Sequence, residues 1–256
     1  MALFGRKKVA SSGGGHGSSA GGSGSSIDEQ KNQSGHQAFL RYVREKEKEE
    51  PGIRERVTAS VLFDFLYDIL KDERGVNIDI LLAVLASVGG QECIAAVLDA
   101  APMDATMADL GLTVIKGNDG RMYFFGDAPN RLLVESPDSL ISLAFGAAQA
   151  QGAPVTMEMI HDEMRKVAQN VGGPDFETLD LPPQHMVDRP TDWARVFGPK
   201  LAEPLDLCEV PRDRRPATIG YAIQKAMDTA KGTVDPMIAA RIVLQCACRT
   251  AKVLIR

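Results

Sequence analysis

The chain has 256 residues, of which 44% are hydrophobic, and a formal net charge of −5 at pH 7. Its length and apolar content suffice for the core of one large or two small soluble domains. The acidic balance argues against a nucleic-acid partner, because that kind of binding depends mostly on Lys and Arg side chains that neutralise phosphates.

The N-terminal segment predicts a disordered tail over residues 1–34. Within it, residues 11–26 are Gly or Ser at 14 of 16 positions. Such a composition buries too little apolar surface to offset the entropy lost on ordering. The tip of the tail carries the apolar and basic residues Leu3, Phe4, Arg6, Lys7 and Lys8. They suit a weak peripheral contact with an anionic membrane or a partner; the alternative is a tail that only improves solubility.

The composition also predicts a cytoplasmic protein with no stable membrane insertion. The longest apolar run, residues 80–90, is shorter than the roughly 20 residues of a spanning helix and indicates a buried helix. Residues 1–8 lack the apolar stretch of a secretory signal. The chain has only four cysteines, too few for a disulfide framework at this size, so we expect reduced thiols.

Helical periodicity dominates the first half of the chain. Residues 36–50 predict a charged peripheral helix. Apolar residues recur at steps of three and four over residues 54–72 and again over 78–88, which predicts two core helices. The pair Gly89-Gly90 predicts a break, followed by a separate helix over residues 91–100.

Residues 112–130, LTVIKGNDGRMYFFGDAPN, are the clearest β-structure in the chain. The Gly-Asn-Asp-Gly turn at 117–120 tolerates positive φ between two apolar segments, which predicts a β-hairpin. A two-stranded hairpin is marginal alone, and its second segment is too apolar to leave exposed. Either residues 131–135 add a third strand and helices cover one face, or a second copy of the protein covers it. In the second case Tyr123, Phe124 and Phe125 are contact residues.

The second half predicts more helices around one irregular segment. Ser136 suits the N-cap of one helix and Thr156 lies at the start of another. Residues 174–216 hold eight of the fourteen prolines. We expect this segment to be packed but irregular, with a short helix only at 191–197.

The chain closes with a predicted helical hairpin. Its first helix has an alanine-rich face over residues 219–230, and Asp235 followed by Pro236 suits the start of the second helix. The alanines favour close helix contact, either in the internal core or on a self-association surface. The fold class is therefore mainly α: about seven helices around a small antiparallel β-hairpin, with an α+β fold as the alternative. A division near residue 135 separates residues 35–135 from 136–256, unless both parts form one domain.

Groups that suit metal or cofactor chemistry are sparse. Glu158 and His161 form an E-x-x-H pair, but it occurs once, whereas di-iron bundles use two such pairs with further glutamates. Cys246 and Cys248 would point to opposite faces of a helix. The turn at 117–120 lacks the oxygen-bearing side chains of a calcium loop, and no phosphate-binding motif is present. We expect no metal and no cofactor.

Two polar clusters remain as candidate binding sites. His185, Asp188 and Arg189 lie beside Trp193 in the irregular segment, where mixed charges and an aromatic suit a ligand pocket over residues 180–193. The basic run at Arg212, Arg214 and Arg215 suits an anion or an acidic partner, and the alternative is a solvated loop.

The sparse acid–base chemistry favours a non-catalytic cytoplasmic protein that binds other proteins and associates with itself as a homodimer. Its expected contact residues are Tyr123, Phe124, Phe125 and Trp193. The competing hypothesis is a small-molecule enzyme or ligand-binding protein that uses His185, Asp188 and Arg189.

Overall fold

A computed structural model describes residues 24–255, with side chains from residue 35 onward. The chain divides into two compact units, one up to Arg54 and one from Glu55 onward. Residues on both sides of the predicted division near 135 therefore belong to the second unit. The tail residues 1–23, including the tip at Leu3 to Lys8, lie outside the described residues.

The first unit contains helix α1, Gly24–Lys46, which covers most of the predicted charged helix. The turn after it is held by an ion pair. Arg54 Nε lies 2.8 Å from Glu47 Oε1, and its Nη2 lies 2.7 Å from Oε2. Two parallel bonds of this kind fix the planar guanidinium on the carboxylate.

The second unit is mainly helical with one two-stranded sheet, as the sequence predicts. Helix α2 begins at the boundary between the units. The elements are α2 Ile53–Leu70, α3 Ile78–Asp99, β1 Thr113–Lys116, β2 Met122–Phe125, the one-turn α4 Asp127–Asn130, α5 Leu140–Ala150, α6 Met157–Asn170, α7 Pro190–Leu207, α8 Arg215–Thr229 and α9 Pro236–Thr250.

Helix α3 is the centre of the second unit. It packs against α7, α8 and α9, and Asn77 caps its start by accepting from the backbone N–H of Asp79 at 2.9 Å. By length and composition α3 could also cross a membrane, but 78% of its apolar window is buried inside the protein. A core helix of a globular protein meets the same criteria.

The predicted break at Gly89-Gly90 is wrong, because α3 continues through both glycines. A Cβ at Gly90 would lie 2.3 Å from Thr250 Oγ1 and 2.4 Å from the carbonyl oxygen of Ala247. Gly90 therefore allows α9 to approach α3 closely, and Gly89 leaves room for the side chains of Leu140 and Ile219. This packing outweighs the low helix propensity of both glycines. The alanine-rich faces of α8 and α9 are buried against α3, so they belong to the internal core.

Helix α7 corrects the prediction of an irregular segment with only a short helix. It runs for 18 residues with Pro199 and Pro204 inside it. Each internal proline removes a backbone hydrogen bond. The helix nevertheless buries a continuous face formed by Ala194, Phe197, Leu201 and Leu205. Packing of this face compensates for the missing bonds.

Helix starts agree with the sequence at two of three positions. Thr156 and Asp235 cap α6 and α9 through their side chains. Helix α5 begins later than predicted, since Ser139 rather than Ser136 is its N-cap and accepts from the backbone N–H of Ser142. Ser136 N–H instead donates to the carbonyl oxygen of Arg131 at 3.0 Å and closes the preceding turn.

Candidate interaction site at the hairpin

The hairpin has a fixed register and a three-residue loop. Ile115 pairs with Tyr123 and Val114 with Phe124. Gly117 N–H donates to the carbonyl oxygen of Arg121 at 2.8 Å, and Gly120, with φ of 80°, completes the turn. This is the expected hairpin, with a glycine where positive φ is needed.

The C-terminal end of the chain supplies a third strand position beside β2. Phe124 N–H donates to the carbonyl oxygen of Lys252 at 2.7 Å, and Tyr123 forms an antiparallel bridge with Val253. The predicted third strand at 131–135 is wrong, because Arg131–Glu135 forms a π-helical turn. Strand β2 therefore has backbone partners on both sides, β1 on one side and Lys252 and Val253 on the other.

Both faces of β2 are covered by the same chain. Tyr123 is fully buried, and its ring meets Phe176 edge to face at 5.0 Å. On the other face Phe124 packs with Ile94 and Leu112. The sequence predicts either a third strand at 131–135 with helices over one face, or cover from a second copy. In the structure helix α3 supplies Ile94 on one face, and the turn at Pro174–Glu177 supplies Phe176 on the other. Tyr123 and Phe124 are not available at the surface, whereas Phe125 is half-buried.

The outer edge of β1 is open. In an antiparallel pair the backbone groups of successive residues alternate between facing the partner strand and facing away. Gly117 bonds to Arg121, so Ile115 also faces β2, and Val114 and Lys116 face away. Within residues 24–255, no hydrogen bond from outside the hairpin reaches the backbone of these two residues.

The side chains along this edge are largely exposed. Ile115 is 47% exposed. Met122, which pairs with Lys116, is 45% exposed. Thr113 and Lys116 are also exposed, while Val114 is partly buried against the cluster under Phe124. The edge therefore combines unpaired backbone groups with one exposed apolar side chain on the strand.

The loop end of the hairpin is held by a polar network. Tyr123 Oη donates to Asp119 Oδ2 at 2.6 Å, and Arg121 donates to both Asp119 and Glu177. Thr191 Oγ1 donates to the same Glu177 oxygen, Oε1, at 2.7 Å. Burial raises the pKa of Tyr123 to about 12, and the hydrogen bond to Asp119 acts in the same direction. The phenol therefore remains protonated and keeps donating at neutral pH.

The loop also approaches the turn after α6 closely. A Cβ at Gly172 would lie 2.6 Å from Gly117 Cα, and Gly172 has φ of 70°. Only glycine meets both demands at this position. The hairpin is thus fixed at its loop and on both faces of β2, and of its two outer edges the edge of β1 is open.

An open cleft of about 520 Å³ lies beside the loop. It is lined by residues from the loop, by the turn after α6, by Glu177 and by Arg189. Within the described residues, Glu177 Oε2 is buried and has no hydrogen-bond partner. Of the predicted pocket residues, only Arg189 lines this cleft.

The other predicted pocket residues lie elsewhere. His185 Nδ1 is 2.9 Å from Asp79 Oδ2 at the start of α3, and Asp188 is exposed. Trp193 is partly buried and its ring packs against Phe197 at 5.8 Å. The structure therefore does not gather His185, Asp188 and Arg189 at one site.

The basic run before α8 is paired with carboxylates of the chain. Arg212 Nε lies 2.9 Å from Asp99 Oδ2, and Arg214 lies 2.6 Å from Glu55 Oε1 and 2.8 Å from Asp138 Oδ2. Arg215, which is buried, pairs with Asp206. These arginines form ion pairs between separate elements of the fold. This role differs from both predictions from the sequence, a binding site for an anion and a solvated loop.

The cysteines and the E-x-x-H pair do not converge. Burial raises the pKa of both Cys246 and Cys248 to about 12, so both thiols are protonated at neutral pH. Glu158 and His161 are exposed on α6. Within the part of the chain that the structure describes, no three His, Cys, Asp or Glu side chains are placed to hold a metal ion.

Comparison with known proteins gives no relative: no protein-family model, no curated protein and no solved structure matches the chain.

Proposed function

We propose that this is a non-catalytic, cytoplasmic protein-interaction protein that associates with itself through the edge of β1. The observation that supports the proposal is the outward direction of the backbone groups of Val114 and Lys116 on an exposed strand. Unpaired N–H and C=O groups at a sheet edge are a template for a strand from another chain.

The fixed position of the hairpin also supports this proposal. β2 is held by Lys252, Phe176 and Ile94 from three other parts of the chain. A strand that adds to β1 meets an edge that is already in its binding conformation. Little conformational entropy is then lost from this side on association.

Replacing Lys116 with proline tests the proposal. The N–H of Lys116 points away from β2, so proline removes a donor for the incoming strand but none that the hairpin uses. The matched control is Lys116→Ala, which loses the charge and keeps the N–H. Sedimentation equilibrium of the full chain over a wide concentration range should show association for the native protein and for K116A, and its loss for K116P.

Two results would overturn the proposal. One is a native protein that stays monomeric at every concentration. The other is a K116P variant that associates as the native protein does while circular dichroism shows an unchanged fold.

A second candidate function is ligand binding in the cleft beside the hairpin loop. Its support is the buried Oε2 of Glu177, which has no hydrogen-bond partner among the described residues, in a cleft that the exposed Arg189 also lines. Under this alternative, Glu177→Gln and Arg189→Ala alter the binding of a co-purifying small molecule and leave self-association unchanged. Native mass spectrometry of the purified protein, under conditions that keep small molecules bound, is the direct test.

A further inference from the structure

We infer that a second copy adds to β1 in an antiparallel, two-fold symmetric arrangement with Ile115 on the axis. This inference rests on the proposed self-association and specifies its geometry. A two-fold dimer brings the same patch of both copies together, so the edge must be complementary to itself. The four residues of β1 meet that condition in one register.

The backbone alternation selects the axis. Val114 and Lys116 have outward-facing backbone groups and flank Ile115. With Ile115 on the axis, Val114 of one copy lies opposite Lys116 of the other. Each such pair exchanges two N–H···O=C bonds, so the two pairs form four bonds. Ile115 then faces its own counterpart as a non-hydrogen-bonded pair, whose Cα atoms lie about 4.5 Å apart.

The side chains favour the same axis. Ile115 is 47% exposed, and in this register the two Ile115 side chains cover each other, as apolar cross-strand pairs do. Lys116 lies opposite Val114 of the other copy. The two lysines are then diagonal neighbours rather than directly opposite, which weakens their repulsion.

The neighbouring symmetric registers are less favourable. An axis at Lys116 places two lysines directly opposite each other, which is destabilising. An axis at Val114 places Lys116 opposite Leu112. Leu112 is buried and its N–H already donates to the carbonyl oxygen of Met107 at 2.8 Å. Both alternatives lose contacts that the axis at Ile115 keeps.

The predicted dimer is weak and concentration-dependent. A four-residue edge buries far less than the about 800 Å² per partner of a stable complex. Covalent capture is therefore the suitable test. Ile115→Cys places a thiol on the axis, and a Cα separation near 4.5 Å is within the range of disulfides. The four native cysteines are all buried and do not compete.

The matched control is Thr113→Cys. Thr113 is exposed on the same strand and points to the same side as Ile115, but in this register it lies opposite Gly117 of the other copy, far from its own counterpart. Under mild oxidation of the full chain, I115C should form a covalent dimer on a non-reducing gel. The dimer should be lost in T113C and in the double variant I115C/K116P.

The outcomes separate the register from the function. Equal dimer yields for I115C and T113C would overturn the register. The register would also be wrong if I115C formed no covalent dimer while the K116P substitution still abolished association. Self-association through β1 would stand in that case. If K116P neither prevents cross-linking of I115C nor reduces native association, the proposed function itself is wrong.

Discussion

The backbone N–H of Phe124 donates to the carbonyl oxygen of Lys252 at 2.7 Å. This one bond closes the inner edge of the hairpin with the last residues of the described chain. It also establishes that β2 directs the groups of Phe124 away from β1. Because Val114 pairs with Phe124 in the register, the groups of Val114 face outward on the opposite edge. The sheet is thus closed on one side and open on the other.

The contact between α3 and α9 predicts an asymmetric response to glycine substitution. Gly90→Ala should destabilise the protein by about 1–3 kcal/mol, because the added methyl group overlaps Thr250 and Ala247. Gly146→Ala, in helix α5, is the control, since its Cβ would meet nothing within 4 Å. It should stabilise the protein by about 0.5–1 kcal/mol through helix propensity. Urea unfolding measures both; equal effects would contradict the close packing of α3 and α9.

Burial of Lys252 predicts a pH-dependent change in stability. Burial lowers its pKa, and its Nζ donates to Asn130 Oδ1 at 2.9 Å. The neighbouring thiols Cys93 and Cys248 have raised pKa values through burial and remain neutral. Because the folded pKa lies below the unfolded one, the charged lysine opposes folding at low pH. This cost disappears as the pH rises toward the pKa of lysine in the unfolded chain, which is about 10.4.

Lys252→Met should therefore be more stable than the native protein at neutral pH, and the difference should shrink as pH increases toward 10. The measurement is the free energy of unfolding of both proteins at several pH values. Lys71→Met is the control, because Lys71 is exposed. A difference for K252M that is constant with pH would show that the charge is not the cause.

The buried pair of Arg249 and Glu163 predicts strong coupling. The Arg249 side chain is 2% exposed and donates to Glu163, to the carbonyl oxygen of Phe176 at 2.8 Å and to that of Thr178 at 2.7 Å. Arg249→Met leaves a buried carboxylate unpaired and should cost about 3–5 kcal/mol. The double variant with Glu163→Met should recover part of that loss. Additive effects in the double-mutant cycle would be inconsistent with a coupled buried pair.

Removal of the Tyr123 hydroxyl predicts a raised pKa for Asp119. Burial raises that pKa, but the hydrogen bonds from Tyr123 and Arg121 outweigh it and hold the pKa below its usual value. Tyr123→Phe should shift it upward and cost about 1 kcal/mol of stability. A carboxylate whose pKa is lowered in the folded state stabilises the fold at pH values above its unfolded-state pKa. The cost of removing the Tyr123 hydroxyl should therefore diminish as the pH falls below about 4. NMR titration of Asp119 measures the shift, with Tyr42→Phe as the unaffected control.

Local signals in the sequence predicted much of this fold. The capping residues Thr156 and Asp235 and the turn glycine Gly120 act through contacts within a few residues, so their pattern alone identifies them. The predicted break at Gly89-Gly90 is wrong because residues distant in sequence need the space: Ala247 and Thr250 lie against Gly90, and Leu140 and Ile219 lie against Gly89. The prolines of α7 misled in the same way. The apolar residues of α7 at 194, 197, 201 and 205 have helical spacing. Only the packing of this face in the folded protein shows that its burial outweighs the hydrogen bonds lost at the two internal prolines.

The surroundings of the candidate interaction site were only partly predictable. The hairpin and its marginal stability alone follow from the residues, but the strand position at Lys252 and Val253 depends on where α9 ends in space. The link from Arg121 to Glu177 also spans distant parts of the sequence. For these reasons the sequence predicts Tyr123 and Phe124 as contact residues, whereas both are buried and the open part of the hairpin is the backbone edge of β1.

Amide hydrogen exchange of β1 tests the open edge most directly. In dilute protein the amides of Val114 and Lys116 should exchange fast, while that of Ile115, which bonds to β2, is protected. At high concentration the amides of Val114 and Lys116 should become protected, and Ile115 should change little. Protection of all three amides in dilute protein, or fast exchange of Val114 and Lys116 at every concentration, would contradict an edge that pairs with a second copy.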